Sequence, residues 1–369
     1  MDFGYTPEQE ALRRDVRAFI AKNMTDAVRA EMDSLSEGFG VSPGRHSGTL
    51  INDLFKKIGQ RGWLGISYPK EYGGQGRDRM TQYIVEEEFA RANISLGLGG
   101  SGAPAILAAG TEEQKRYFIP KLISGEFSFA LGFTEPQAGA DLAALQCRAT
   151  REGDEYVING QKMYCSAAHM ATHVYLMVRT NIDLPRHRGI SIFLVPMDTP
   201  GIEVRPLWTI QTDPPAPIGT TYGTPRTNEV FFDDCRVPAS SMLGKENDGW
   251  GVGALGLNLD RVGAARYLIS ARRDEDIVNY VKENKFDGYS PAADPAIRDK
   301  IAELWIEAQV CRLMTMRSMS IVQHGGNFTY AYAFGAGAGR SYLFRTSIHY
   351  SSTYPFLAGT SAPVRVRVR

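Results

Sequence analysis

The sequence predicts an α+β protein with three consecutive regions, in which helices come first, short strands follow, and helices return. Apolar residues recur at helical spacing near both ends of the chain, whereas short apolar runs separated by turn residues fill the middle. A chain of 369 residues is long enough for several domains and a substantial core. We predict domains at residues 1–127, 128–243 and 244–369.

The first region carries clear helix-start signals. Thr6 is a predicted N-cap, Pro7 suits the first helical position, and Gln9 completes a capping box. The same signature at Thr111 and Gln114 opens a second predicted helix, which ends before the glycine at position 125. Four apolar residues recur on one face of the first helix: Leu12, Val16, Phe19 and Ile20.

The middle region predicts a compact β-barrel or sandwich, because strand-like runs alternate with turn residues. Asn159 and Gly160 lie between two such runs, and this dipeptide predicts a hairpin turn. Further strands are predicted at residues 173–178, 190–195, 202–207 and 229–232.

Helical periodicity returns after Gly249, which predicts a C-terminal helical domain. One face of a long helix in this region is predicted from Ile297, Ile301, Leu304, Trp305, Ala308 and Cys311.

Composition narrows the function classes. The 41 basic and 41 acidic side chains cancel, so there is no overall electrostatic case for binding nucleic acid or a membrane surface. No apolar run is long enough for a membrane span, and acidic residues near the N-terminus are unlike a targeting signal. The four cysteines are widely spaced, which indicates a reducing compartment, and we expect a cytoplasmic protein.

Two kinds of motif have a functional and a structural interpretation. Residues 97–102 and 251–256 both fit GxGxxG, yet neither follows a strand in a βαβ unit, which favours close helix packing over dinucleotide binding. His169 and His173 have the i,i+4 spacing of zinc ligands, but the HExxH glutamate is absent, and we predict no metal site.

Three segments in order carry a family resemblance: residues 133–141 (FTEPQAGAD), 159–166 (NGQKMYCS) and 231–238 (FFDDCRVP). Together they resemble the acyl-CoA dehydrogenase family, and the resemblance extends to about residue 320. It implies the acyl-CoA dehydrogenase fold, with an N-terminal helical domain, a middle β-barrel or sandwich domain and a C-terminal four-helix bundle.

The resemblance implies a bound FAD. In this family the first segment contacts the isoalloxazine ring through backbone atoms and a threonine, and the second brings an aromatic residue and a hydroxyl against the ring. The family usually has Trp and Thr where this chain has Tyr164 and Ser166. By position in the motifs, the residues implied to contact FAD are Leu131, Phe133, Thr134, Tyr164, Ser166, Gly359 and Thr360.

The implied reaction is α,β-dehydrogenation of an acyl-CoA thioester, in which a carboxylate removes the α-proton and the flavin accepts a hydride. Many members place this base just before a Gly-Thr pair, where this chain has Ala358, and no Asp or Glu follows Glu307. Other branches place it on the helix after the β-domain, where this chain has Asp260. Asp260 is therefore the candidate base, although it could equally be a helix carboxylate paired with a neighbouring cation.

Three positions are implied to meet the acyl-CoA: Ala140, Asn258 and Arg261. The resemblance also implies that an electron-transferring flavoprotein accepts the electrons.

Two departures from the family pattern concern sites shared between subunits. Residues 283–288 (ENKFDG) lack an arginine that usually contacts the FAD pyrophosphate, and no Gln-x-x-Gly-Gly segment is visible. The combination resembles one chain of a heteromeric α2β2 enzyme of the kind that acts on steroid side-chain acyl-CoAs. The alternatives are a homo-oligomer, a non-catalytic partner that completes a sister subunit's FAD site, or an oxidase or flavin monooxygenase on the same fold.

The C-terminal residues 364–369 alternate valine and arginine and match no family pattern. They could form an exposed strand edge, a disordered end or a basic nucleic-acid arm.

Overall fold

The protein was analysed as a computed structural model that describes residues 5–35, 49–97, 102–207, 227–261, 265–286, 288–323, 341–344, 347–348, 359–360 and 364–367. Helices come first, strands fill the middle, helices return, and four short strands follow the last helix. The helices are α1 (Pro7–Asn23), α2 (Asp26–Leu35), α3 (Thr49–Gln60), α4 (Arg79–Arg91), α5 (Gly102–Ala109), α6 (Glu112–Ser124), α7 (Gly249–Arg261), α8 (Ala265–Glu283) and α9 (Pro295–Gln323). The predicted order of helices, strands and helices is confirmed.

Eight strands form one mixed sheet in the middle of the chain. They are β1 (Phe129–Gly132), β2 (Arg148–Glu152), β3 (Glu155–Ser166), β4 (His173–Arg179), β5 (Ile190–Pro196), β6 (Ile202–Pro206), β7 (Thr227–Pro238) and β8 (Met242–Leu243). The order across the sheet is β6-β7-β3-β2-β4-β5-β8, and β1 pairs with β4 in parallel. The four strands predicted after the hairpin signal are thus confirmed, although the last is much longer than predicted.

Two short antiparallel pairs follow α9. Strand β9 (Ser341–Phe344) pairs with β12 (Val364–Arg367), and β10 (Ser347–Ile348) pairs with β11 (Gly359–Thr360). Four residues of the valine–arginine repeat therefore belong to a paired strand.

Both predicted capping boxes are present. The Thr6 hydroxyl accepts a hydrogen bond from Gln9 N–H, and the Gln9 side chain accepts one from Thr6 N–H. Thr111 and Gln114 make the same pair at the start of α6, and Gly125 ends that helix in the left-handed conformation. These local signals fix helix ends because they satisfy backbone groups that the helix leaves unpaired.

The hairpin predicted at Asn159 and Gly160 is wrong. Both residues lie inside β3, and the chain turns earlier, between Glu152 and Glu155. Gly160 has φ of 145°, which keeps the strand extended, and Asn159 donates to Asp234 on the neighbouring strand instead of closing a turn. The dipeptide marks a strand irregularity because its glycine packs closely against Cys147, directly before β2.

We expect Gly160→Ala to destabilise the fold by about 1–3 kcal/mol. A Cβ atom at this position would lie 2.7 Å from the Cys147 Cα atom, and the positive φ adds strain. Urea denaturation would measure the loss. Gly139→Ala is the matched control, because nothing lies within 4 Å of its added Cβ atom, and it should stay within about 0.5 kcal/mol of the parent. Equal stability of the two variants would contradict this reading of Gly160.

Helix α7 starts against the sheet. Gly253 lies so close to β4 that an added Cβ atom would be 2.4 Å from the Met177 Cε atom, and Val252 belongs to the core beneath β5. Gly253 in the GxGxxG run at 251–256 therefore lets α7 approach the sheet, whereas the sequence predicted close packing between helices. The run at 97–102 lies largely outside the described residues.

The helix predicted around residues 297–311 is confirmed as part of α9, but its apolar face is only partly buried. Leu304 is 37% exposed and Trp305 61% exposed, whereas Ala308, Met316 and Met319 are buried. The inward face starts at Ala308 and continues along the helix to Met319, where it packs on Tyr83 of α4. Periodicity alone does not separate these faces, because both sides of α9 carry apolar residues.

A buried carboxylate joins the N-terminal helices to α8 and α9. Glu87 of α4 is fully buried and accepts hydrogen bonds from Arg312 Nε at 2.6 Å, from the Tyr5 hydroxyl at 2.8 Å and from the Tyr267 hydroxyl. The Arg312 guanidinium also donates to the Tyr5 hydroxyl at 2.5 Å. Residues more than two hundred positions apart thus meet at one point.

The two histidines with zinc-like spacing have different surroundings. His169 is within 3.1 Å of the Asn228 amide, whereas His173 packs among phenylalanines and contacts the Thr172 hydroxyl. Within the described ranges no group of His, Cys, Asp and Glu side chains is arranged to hold a metal ion. None of the helices in those ranges combines the length and apolar character that a bilayer span requires.

Candidate active site

The site begins where β1 ends. Leu131 is half-buried on this strand, and Phe133 just beyond it is buried with its ring centroid 5.5 Å from that of Tyr175. Gly132 lies against β4, where an added Cβ atom would be 2.8 Å from the Val174 Cγ2 atom. This close packing fixes the direction in which the chain leaves the sheet.

A tight turn follows, in which Glu135 and Ala138 exchange backbone hydrogen bonds. The Glu135 carboxylate is buried and accepts from the backbone N–H groups of Gln146 at 2.6 Å and Cys147 at 2.9 Å. Gln137 also donates to it through its side-chain amide. The turn is therefore held from inside by its own carboxylate.

The turn is tied to β3 at two adjacent positions. Met163 N–H donates to the Thr134 carbonyl at 2.8 Å, and the Lys162 ammonium donates to the Phe133 carbonyl at 3.1 Å. The same ammonium forms an ion pair with Glu135 at 2.7 Å. The segment that follows β1 and the end of β3 thus form one rigid unit.

A β-bulge near the end of β3 sets the direction of two side chains. Between Lys162 and Cys165 this strand carries one more residue than β7, and Tyr164 adopts a left-handed backbone with φ of 56°. After the bulge Tyr164 and Ser166 are exposed and Cys165 between them is buried. The bulge thereby presents the Tyr164 ring, 58% exposed, and the Ser166 hydroxyl on one face.

Polar groups on this unit lack protein partners. Within the part of the chain that the structure describes, the Thr134 N–H, the Thr134 hydroxyl and the Ser166 hydroxyl make no hydrogen bond to protein. Thr134 is half-buried, so its donors are partly removed from water without compensation. An exposed aromatic ring beside unpaired donors suits a planar ligand with hydrogen-bond acceptors.

Burial sets the protonation state of two cysteine thiols near the site. Desolvation raises the pKa of the Cys165 thiol to about 12, and the Lys162 ammonium only partly opposes this. Cys147 behaves in the same way, with a pKa raised to about 12 by burial. Both thiols therefore stay protonated at neutral pH, and neither is a nucleophile.

The other predicted site residues lie on separate elements. Asn258, Asp260 and Arg261 are in the last turns of α7, and the structure describes their backbone only. Ala140 is exposed in the loop before Asp141, which pairs with Arg186. Gly359 and Thr360 form β11, also described through its backbone. The structure thus brings together Leu131, Phe133, Thr134, Tyr164 and Ser166.

Comparisons with known proteins identify the relatives of this chain. Three family models match in order: the acyl-CoA dehydrogenase N-terminal domain at residues 6–126, the middle domain at 130–235 and the C-terminal domain at 247–336. The crystal structure of the ChsE4-ChsE5 complex from Mycobacterium tuberculosis is 34% identical with a TM-score of 0.74, and covers 89% of this chain and 79% of its own. The chain belongs to the acyl-CoA dehydrogenase family.

Two further relatives are similar to this chain. The steroid ACAD Tcur3481-Tcur3483 is 33% identical with a TM-score of 0.74, and covers 88% of this chain and 79% of its own. Acyl-CoA dehydrogenase FadE26 of Mycobacterium tuberculosis is 40% identical over 267 residues, which is 71% of this chain. The chain spans 62% of the length of FadE26.

The unit built from β1 and β3 fits the flavin that family membership implies. The ring of Tyr164 offers a stacking surface, and the free donors of Thr134 and Ser166 match the acceptor atoms on the edge of an isoalloxazine ring. Among the residues that the structure describes, no group of His, Cys, Asp or Glu side chains at this site is arranged to bind a metal ion.

The interactions that hold this site in place were not predicted from the sequence. The ion pair between Glu135 and Lys162 and the bulge at Tyr164 were not predicted. Lys162 gave one signal, since a lysine in an otherwise apolar strand position calls for a buried counter-charge. Glu135 could be identified as that counter-charge only from the structure, in which the two segments lie in contact.

Proposed function

We propose that this protein is an FAD-dependent acyl-CoA dehydrogenase that converts an acyl-CoA thioester to the 2-enoyl-CoA as one subunit of a heteromeric assembly. The observation that carries the proposal is the rigid unit that presents Thr134, Tyr164 and Ser166 together. Leu131 and Phe133 would line the same cofactor site, and Gly359 and Thr360 would complete it from the C-terminal segment.

The chemistry divides between cofactor and protein. FAD, when bound, supplies the acceptor for the hydride that leaves the β-carbon. Asp260 is the proposed base that takes the α-proton, because it occupies the helix position where family branches without a C-terminal base carry a carboxylate. Ala140, Asn258 and Arg261 would contact the acyl-CoA.

The proposed substrate class is a bulky acyl-CoA, such as one with a steroid side chain. Support comes from the similarity to the steroid ACAD Tcur3481-Tcur3483. The proposed partner is a sister subunit, supported by the likeness to the ChsE4-ChsE5 complex and by the missing cofactor arginine at residues 283–288. An electron-transferring flavoprotein is the proposed electron acceptor.

A second candidate is a non-catalytic subunit that completes the FAD site of its sister chain. One observation favours it: Ala358 stands at the common base position, and no acidic residue follows Glu307. The two candidates differ in whether Asp260 is needed for turnover.

The visible absorption spectrum tests the cofactor site. We expect the oxidised-flavin bands after co-expression with a sister subunit of the same family and weaker bands when the chain is purified alone. Bands of equal strength from the chain alone would support a homo-oligomer instead. Flavin in neither preparation would contradict the proposed site.

We expect Tyr164→Ala to lower flavin retention without destabilising the protein. The ring is 58% exposed, so its removal should change the free energy of unfolding by less than about 0.5 kcal/mol. Flavin content per subunit and the denaturation midpoint are the two measurements. Tyr164→Trp is the matched control and should retain flavin, because the larger ring keeps the stacking surface. Full flavin content in Tyr164→Ala would show that the ring is not part of the site.

A further inference from the structure

A buried ion pair lies directly behind the proposed flavin contacts. The Lys162 ammonium and the Glu135 carboxylate are 2.7 Å apart, with side chains 0% and 1% exposed. Burying two charges is costly unless further hydrogen bonds satisfy them, and hydrophobic replacement of such pairs often stabilises a fold. The pair by itself therefore contributes little to stability. Its role follows from the other groups that the two side chains contact.

Each member of the pair has a separate second task. Glu135 accepts the backbone N–H groups of Gln146 and Cys147 and so holds the turn. Lys162 donates to the Phe133 carbonyl at 3.1 Å. That carbonyl belongs to the same peptide group as the Thr134 N–H, which has no partner within the described part of the chain.

A charged donor on a peptide carbonyl polarises the whole peptide group. The N–H at its other end becomes a stronger hydrogen-bond donor, because linked hydrogen bonds reinforce one another in a low-dielectric interior. The Met163 N–H bond to the Thr134 carbonyl fixes the next peptide as well, so the direction of the Thr134 N–H cannot adjust freely.

We propose that Lys162 is a positioning residue that raises the reduction potential of the bound flavin through the peptide between Phe133 and Thr134. Reduction places extra negative charge on the ring, so a stronger N–H donor at Thr134 stabilises the reduced form more than the oxidised form. Glu135 holds the ammonium in place and cancels its field at longer range, which confines the effect to this one peptide. The proposal rests on the proposed function, since it requires a flavin at this face.

The test is a redox titration of the flavin in the purified, partner-containing protein. In Lys162→Met/Glu135→Gln both charges are removed together, so the net charge is unchanged. We expect its midpoint potential to become more negative by about 30 mV. For a two-electron couple this is about a tenfold change in the ratio of oxidised to reduced flavin at a given potential. Glu135→Gln alone keeps the ammonium on the Phe133 carbonyl, and its potential should not fall below that of the parent.

A matched control removes an exposed ion pair of the same kind. Lys300 and Glu303 on α9 are 2.6 Å apart with side chains 77% and 62% exposed. Lys300→Met/Glu303→Gln should leave the potential unchanged. A folded Lys162→Met/Glu135→Gln protein with the parent potential and the parent flavin spectrum would overturn the proposal.

If the buried double variant holds no flavin or fails to fold, Lys162→Gln/Glu135→Gln, which keeps two hydrogen-bonding side chains, is titrated in its place. The same fall in potential is expected, and a flavin-loaded variant with the parent potential would overturn the proposal. Absence of flavin from the parent assembly would instead remove the proposed function itself, so the two failures are distinguishable.

Discussion

Replacing Asp260 with alanine in the assembled protein is expected to lower the rate of acyl-CoA oxidation by about 10²–10⁴-fold. The reason is that the α-proton would have no carboxylate to accept it, since the common C-terminal base position is Ala358. Flavin content should stay at the parent level, because the proposed cofactor contacts lie outside α7, on β1 and the turn after it, on β3 and on β11. Steady-state turnover with an artificial electron acceptor and the absorption spectrum are the two measurements.

Two controls separate chemistry from structure at this position. Asp276→Asn removes an exposed carboxylate from α8 and should leave turnover unchanged. Asp260→Glu retains a base but moves it by one methylene, and a displacement near 1 Å can change the rate about a hundredfold. Parent-level turnover in Asp260→Ala would favour the non-catalytic partner subunit.

Replacing Arg312 with methionine is expected to destabilise the protein by about 3–5 kcal/mol. The change leaves the carboxylate of Glu87 fully buried without its closest cation, so that among the described residues only the Arg91 guanidinium at 3.5 Å and the Tyr5 and Tyr267 hydroxyls remain as partners. Chemical denaturation would measure the loss. Arg317→Met, on an exposed face of the same helix, is the matched control and should lie within about 0.5 kcal/mol of the parent. Similar losses in both variants would show that Glu87 does not depend on Arg312.

The same junction predicts an acid-side loss of stability. Burial alone would raise the pKa of Glu87, but the hydrogen bonds from Arg312 and Tyr267 outweigh burial and hold the pKa below its usual value. A carboxyl with a depressed folded pKa contributes stability above its unfolded pKa, near 4.3, and loses it as the pH falls through the folded pKa. We expect Glu87→Gln to flatten the fall in denaturation midpoint below about pH 4. An unchanged slope in that range would contradict this assignment.

Sequence patterns predicted features that depend on neighbouring residues. The capping boxes at Thr6 and Thr111 and the strands after residue 173 were predictable because each follows from a few adjacent side chains. The hairpin at Gly160 was mispredicted because the same dipeptide suits a strand irregularity, and only the approach of β2 decides between the two.

The candidate site divides in the same way. Thr134, Tyr164 and Ser166 were predicted as site residues from motif order, whereas the bulge that turns Tyr164 outward and the buried pair behind it depend on segments that meet only in the fold. Which face of α9 packs inward was not predicted, because Leu304 and Trp305 are as apolar as the buried Met316 and Met319. Periodicity locates apolar faces, but it does not say which of two such faces packs inward.

The most direct measurement is the absorption spectrum of the assembled protein after anaerobic addition of a steroid side-chain acyl-CoA. We expect loss of the oxidised-flavin bands in the parent assembly and slow or no loss in Asp260→Ala. The oxidised-flavin bands of a flavin-loaded parent assembly could instead persist after addition of the steroid side-chain acyl-CoA and also of short-chain acyl-CoAs. That result would contradict the proposed dehydrogenation.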